Sequence, residues 1–286
     1  MSLISKRKKR GGRSTIGDLT ILFFLLLVAC FMALPLVYAI VTAFKPLDEI
    51  YAFPPKFYVV RPTLENFSLL FKLTSQLWVP FSRYVFNSVF TSVVATVGHV
   101  IIASMAAYVL AKHNLMIRGF FKLVILALLF NGTVLWLPQY VIMSKMNIIN
   151  TYWVYILPTL AMPLGLFLMK QFMEQIPTAL IEAAEIEGAG HYKIFIRVAM
   201  PMVKPAWLTL IIFCFQTVWN SANDSQIFDE QLKVINSAIS QVSAGGISRA
   251  GAAMAGSLFL MVPPILVFLF SQSSVVETMA HSGVKG

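Results

Sequence analysis

Long runs without a charged side chain recur along this chain of 286 residues, and they decide what it can fold into. They cover residues 19–44, 84–111, 123–144, 146–169, 205–223 and 250–276. At about 1.5 Å per helical residue each is long enough to cross roughly 30 Å of hydrocarbon. Barrel strands would be about half that length and would alternate apolar with polar residues, which these runs do not. Composition agrees: 58% of residues are hydrophobic and only 12% charged, about half the charge an ordinary soluble domain carries. The expected fold is therefore an all-α polytopic membrane protein with about six transmembrane helices.

The basic cluster over residues 6–13 ahead of the first run resembles a secretory leader. The run over 19–44 is too long for a leader core and no small-residue cleavage site follows it, so a permanent first helix is expected. Cys30 and Cys214 both fall inside spans, where a free cysteine is a small apolar packing residue.

A net charge of +10 invites a nucleic-acid reading, but the basic residues collect beside the spans. If six helices alternate, residues 6–13, Lys112, Arg118, Lys122, Lys170, Lys193, Arg197, Lys204 and Lys285 share one side. That is the positive-inside pattern and places both termini in the cytoplasm. Lys45, Lys56, Arg61, Lys72 and Arg83 fall outside, in one long loop whose weight in that rule is small. The chain thus divides into a basic cytoplasmic tail over 1–18, a membrane domain over 19–276 and a cytoplasmic tail over 277–286. The domain has extracytoplasmic loops over 45–83 and 224–249 and one large cytoplasmic loop over 175–204. In the first outer loop, Thr63 after Pro62 reads as the cap of a short interfacial helix. Small residues four apart, Ala103 with Ala107 and Gly251 with Ala255, permit close helix approach. They fit packing within one subunit or a subunit interface.

The cytoplasmic loop carries the most specific signal. After the turn residues Gln175, Ile176, Pro177 and Thr178, residues 179–187 are rich in helix formers. Leu180, Ala183, Ala184, Ile186 and Ala189 read as one apolar face, with Glu182 and Glu185 three apart beside it. Gly188 is placed to stop the helix, because glycine takes the left-handed stop conformation without strain. A second short helical pattern runs through Tyr192, Phe195, Ile196 and Ala199, and Pro201 and Pro205 then reset the chain. The product is a helix-turn-helix suited to insertion into a partner's groove. The competing reading is an amphipathic connector on lipid headgroups, against which the acidic first helix argues, since such a surface calls for basic residues.

Glu182-Ala183-Ala184, three further residues, Gly188, then Pro201 ahead of a span resemble the coupling-loop signature of inner-membrane permease subunits of bacterial ABC importers. Phe44-Lys45-Pro46, Thr63 to Phe67, Asn87-Ser88, Ala106 to Lys112 and Gln171-Phe172 resemble the carbohydrate-uptake branch, specifically the second permease of maltose-type importers. So does the ending Gly283-Val284-Lys285-Gly286. The resemblance covers most of the chain and departs at three places. Glu187 stands where an aspartate is usual, Asn131-Gly132 where a proline is common, and residues 222–230 differ from the maltose-type sequence, which places the chain in a sub-branch.

The resemblance implies a permease that forms, with a second homologous permease, the path for a sugar, most simply an oligosaccharide. Two ATPase subunits inside and a solute-binding protein outside complete the importer, with membrane lipid around it and no nucleic acid. It implies docking of the ATPase on Glu182, Ala183, Ala184, Glu185, Glu187 and Gly188. Glu182 would be the ionic anchor, the two alanines the close-packing surface and Gly188 the turn. ATP and Mg²⁺ would sit on the ATPase; this chain has no phosphate-loop motif and is expected to carry no catalysis or cofactor of its own. His99, His113, His191 and His281 have no metal-ligand spacing with cysteine or carboxylate. An importer of the same architecture for another solute and a stand-alone secondary transporter are the alternatives. The latter would need a coupling-ion site, and the spans hold no Asp, Glu, Lys or Arg in their middle.

Overall fold

In the computed structural model, residues 15–75, 79–112, 118–130 and 132–282 are described. The basic cluster over 6–13, His113, Asn131 and the ending over 283–286 lie outside them. The helices in chain order are α1 (Thr15–Ala43), α2 (Leu47–Tyr51), α3 (Glu65–Ser75), α4 (Phe81–Lys112), α5 (Arg118–Leu128), α6 (Gly132–Lys145) and α7 (Trp153–Leu160). After these come α8 (Pro163–Glu174), α9 (Thr178–Ile186), α10 (His191–Ile194), α11 (Met200–Met202), α12 (Lys204–Trp219), α13 (Ile235–Ser243) and α14 (Ala250–Ser282). No strand occurs among the described residues. Four helical segments are long and apolar enough to cross a bilayer, and six if two bent pairs each count as one span.

α4 is the centre of the bundle. It packs against α7, α8, α12 and α13, while α1 lies outside against α14 with no buried residue in its most apolar window. The buried face of α4 carries small and polar residues, among them Asn87, Ser88, Thr91, Ala95, His99, Ala103 and Ala107. Its outward face is Phe86, Val89, Phe90, Val93, Val97 and Ile101. This is the membrane arrangement: without water to drive apolar residues inward, small side chains go to the helix contacts and large aliphatics face lipid. The small residues of α14 serve packing inside the chain. Ala252 and Ala255 are buried with Leu70 and Val242, and a side chain at Gly251 would strike Asn66 of α3.

Three elements differ from the sequence reading. The fourth span begins at Trp153 instead of 146, because Asn147 and Asn150 adopt left-handed backbone (φ 55° and 60°) and turn the chain between α6 and α7. It is also divided at Ala161–Met162, ahead of Pro163. The third span is a pair, α5 and α6, bent by 115°. The segment 224–249, read from sequence as an extracytoplasmic loop, is no plain loop: it holds α13, whose Ile235, Ala238 and Ile239 pack with Tyr84, Phe215 and Trp219. The short helix expected after Thr63 is α3, with the Glu65 N–H donating to Thr63 Oγ1 at 3.1 Å. Buried Asn66 then donates to the carbonyls of Ala43 and Lys45 at 2.9 and 2.6 Å, capping the end of α1.

Candidate functional site

Helix α9 forms and stops for local reasons. Pro177 starts it in extended conformation, and the Leu180 N–H returns to the Pro177 carbonyl at 3.2 Å. Gly188 ends it at φ +80°, the left-handed region that glycine alone enters freely. The Ala189 N–H donates to Ala184 O at 3.0 Å and the Gly188 N–H to Glu185 O at 2.9 Å. These are the paired bonds of a Schellman stop. The chain then re-enters helix at His191, widens to a π-helical turn over Phe195–Ala199, and breaks at Val203 before α12. The two limbs meet at 80°.

The helix-turn-helix is held to the ends of three spans. Ile181, Ile194, Ala199 and Val203 are buried with Ala103, Ala107 and Tyr108 of α4, Met169 and Met173 of α8, and Leu210 of α12. The rings of Tyr108 and Phe195 lie 5.5 Å apart, and Trp207 Nε1 donates to Met200 O at 3.2 Å. Lys112 Nζ, at the end of α4, donates to the Ile176 carbonyl at 2.5 Å, at the elbow between α8 and α9. A load on α9 therefore reaches α4, α8 and α12 together.

The sequence grouped Leu180, Ala183, Ala184, Ile186 and Ala189 on one face, and the structure divides them. Ile181 is buried, and Ala184 and Ala189 are half-buried against the core. Leu180, Ala183 and Ile186 are exposed, together with Glu182, Glu185, Glu187 and Gly188. At 100° per residue those five positions go round the helix, so they could not share one stripe. Ile186 is 88% exposed and Tyr192 72% exposed, two large side chains bare at the tip of a short connector. Tyr192 lies outside the docking set that the sequence motif gives; the signal for it in the sequence is an aromatic residue just past the glycine stop. Glu185 Oε1 lies 3.6 Å from His191 Nδ1, joining the two limbs across the turn. The surface thus presents an apolar knob ringed by carboxylates, which fits an apolar groove with basic residues at its rim.

At the other end of α4 a polar network fixes the segment that carries α13. Glu230 accepts from Tyr84 Oη at 2.7 Å, Lys233 Nζ at 2.7 Å and Gln241 Nε2 at 3.0 Å. Burial raises the Glu230 carboxyl, but the Lys233, Tyr84 and Gln241 donors outweigh it and hold the pKa below the usual range. Asn87 Nδ2 donates to the carbonyls of Gln231 and Lys233, each at 2.8 Å. Asn150 Oδ1 accepts the N–H groups of Phe228 and Asp229 at 2.9 and 2.8 Å.

Among curated proteins the chain is 30% identical over 274 residues to the arabinooligosaccharides transport system permease protein AraQ of Halalkalibacterium halodurans, covering 91% of this chain and 93% of that protein. It is 30% identical over 280 residues to the probable ABC transporter permease protein YurM of Bacillus subtilis, covering 95% and 90%. The polygalacturonan/rhamnogalacturonan transport system permease protein YtcP of Bacillus subtilis is 27% identical over 306 residues, covering 96% of this chain and all of that one. No family model matches. Among solved structures, a chain of a bacterial ABC transporter that imports the acidic polysaccharide alginate superposes with a TM-score of 0.75 at 18% identity. The match covers 92% of this chain and 99% of that one, and it shows the shared fold.

Proposed function

Since the chain belongs to the permease proteins of ABC transporters, we propose that it is one of the two membrane subunits of an ATP-driven oligosaccharide importer, working with a second, homologous permease. The oligosaccharide assignment is supported by relatives named for arabinooligosaccharides and for polygalacturonan/rhamnogalacturonan. Two ATPase subunits dock on the helix-turn-helix of α9 and α10 from the cytoplasm, where both termini also lie. A solute-binding protein delivers the sugar from outside. ATP and Mg²⁺ belong to the ATPase, and this subunit performs no chemistry of its own.

One observation carries the reading: an exposed apolar knob, Ile186 with Ala183 and Leu180, ringed by Glu182, Glu185 and Glu187, on a helix clamped to α4, α8 and α12. Closure of the ATPase pair pulls on that knob. The spans then rock together and turn the central path from inward-facing to outward-facing. Affinity purification of the tagged chain in mild detergent, with mass spectrometry of what copurifies, tests this. The expected result is a second permease and an ATPase bearing a Gly-x-x-x-x-Gly-Lys loop, the ATPase being lost with Ala183→Trp. Ala183 suits this test because it is exposed, whereas Ala184→Trp would force bulk into the core. Recovery of the chain alone would turn the reading toward a stand-alone carrier.

A further inference from the structure

The division of the fourth span leaves a problem inside the membrane. Pro163 has no N–H to give, and the chain between α7 and α8 leaves the helical path at Ala161 and Met162. The Ala161 N–H satisfies Leu157 O and the Met162 N–H satisfies Thr159 O, at 3.2 and 3.1 Å. The Leu160 carbonyl is left at the break, in a region without water to hydrogen-bond it. Its partner comes from another helix: His99 Nδ1 of α4 lies 3.1 Å from Leu160 O. A carbonyl oxygen only accepts, so Nδ1 carries the proton.

The site is shaped around that ring. His99 is 1% exposed. A Cβ at Gly165, in the first turn of α8, would sit 1.9 Å from His99 Nε2, so the imidazole occupies the space a side chain there would need. A Cβ at Gly98 would sit 2.8 Å from the Leu160 side chain. His99 Nε2 is buried with no partner among the described residues. One nitrogen of a buried imidazole is thus left unpaired so that the other can hold a single carbonyl.

We infer that His99 is a positioning residue that clamps the break in the fourth span, so that α8 and the docking helix α9 move with α4 as one body. α8 runs through 175–177 directly into α9, and Lys112 fixes that lower end at the Ile176 carbonyl. At the upper end His99 bridges the break: its Nδ1 donates to the carbonyl of Leu160, the last residue of α7, and the ring lies against Gly165 in the first turn of α8. With both ends held, a pull on α9 is delivered to α4; with the upper end free, α8 hinges at Met162 and the pull is absorbed there. The inference rests on the coupled-importer reading above.

The test uses the complex of the full chain with its second permease and ATPase, in which Cys30 and Cys214 are replaced by alanine. Spin labels go at Val97 of α4 and Leu164 of α8, both exposed and flanking the clamp. In the otherwise unaltered chain the distance distribution is expected to be narrow and the same without nucleotide and with ATP trapped by vanadate. His99→Leu should broaden it and make it shift with nucleotide. His99→Asn, which keeps a donor at the Nδ1 position, should restore the narrow distribution; an effect of ring size alone would not be restored. Should His99→Leu fail to assemble, Gly165→Ala is expected to expel the ring and broaden the distribution in the same way, and His99→Asn to relieve it. A narrow, nucleotide-independent distribution in His99→Leu, or in Gly165→Ala where the first variant is lost, would overturn the clamp. Failure of the ATPase to copurify with the unaltered chain would instead strike the importer reading itself.

Discussion

Ile186→Ala isolates the docking surface from everything that holds the fold. The side chain is 88% exposed and belongs to none of the buried clusters among the described residues, so its truncation leaves that packing untouched. In the assembled importer it would enter the ATPase groove. The change removes three carbons, each worth about 0.8 kcal/mol when fully taken from water. Full burial therefore predicts a loss of about 2.4 kcal/mol, close to sixtyfold in affinity, and half burial about 1.2 kcal/mol, close to eightfold. The assay is dissociation of the ATPase from the detergent-solubilised membrane subunits, followed by light scattering or by retention on immobilised permease. Met202→Ala is the control, another exposed aliphatic in the same segment between α8 and α12 but beyond the π-helical turn. An Ile186→Ala complex as tight as the unaltered one, within twofold, would refute the placement of the knob in the groove and return α9 to the role of connector.

Two further outcomes follow from the geometry. Gly188→Ala forces a β-carbon into φ +80°, at a cost of about 1–2 kcal/mol; the turn should loosen and copurified ATPase fall, while Gly190→Ala, which has open space and extended backbone, should be neutral. The Glu230 carboxylate is held below its ordinary pKa by Lys233, Tyr84 and Gln241. Its stabilisation is therefore complete above the unfolded carboxylate range and is lost as pH falls through the folded value. Thermal unfolding in detergent should show this acid-side loss for the unaltered chain and a flatter profile for Glu230→Gln.

The parts of this protein legible in its sequence are those where one local rule acts alone. α1, α4 and α14 follow from unbroken apolar length, the α9 stop from one glycine, and the α3 cap from Thr63. Features set by competition between elements were not legible. The face of α9 depends on where α4, α8 and α12 leave room, which five small or apolar residues spread round a helix do not specify. α13 hid in a segment of Asn, Ser and Gln because its apolar residues, Ile235, Ala238, Ile239 and Val242, are few and cover only the side facing α4 and α14. The break in the fourth span has a visible cause in Pro163, but its remedy lies on another helix, sixty-one residues earlier in the chain.

α4 is 32 residues long and contains no proline, a stiff rod of about 48 Å at 1.5 Å per residue. One end is tied to the helix-turn-helix through Tyr108 and Lys112, and the other to the segment 224–249 through Tyr84, Asn87 and Ser88. Tilted by roughly 5° about one end, a rod of that length carries its far end sideways by about 4 Å. A small angular change at the helix-turn-helix end of α4 thus arrives at its other end as a displacement wider than a hydrogen bond is long, with no bending of the helix between.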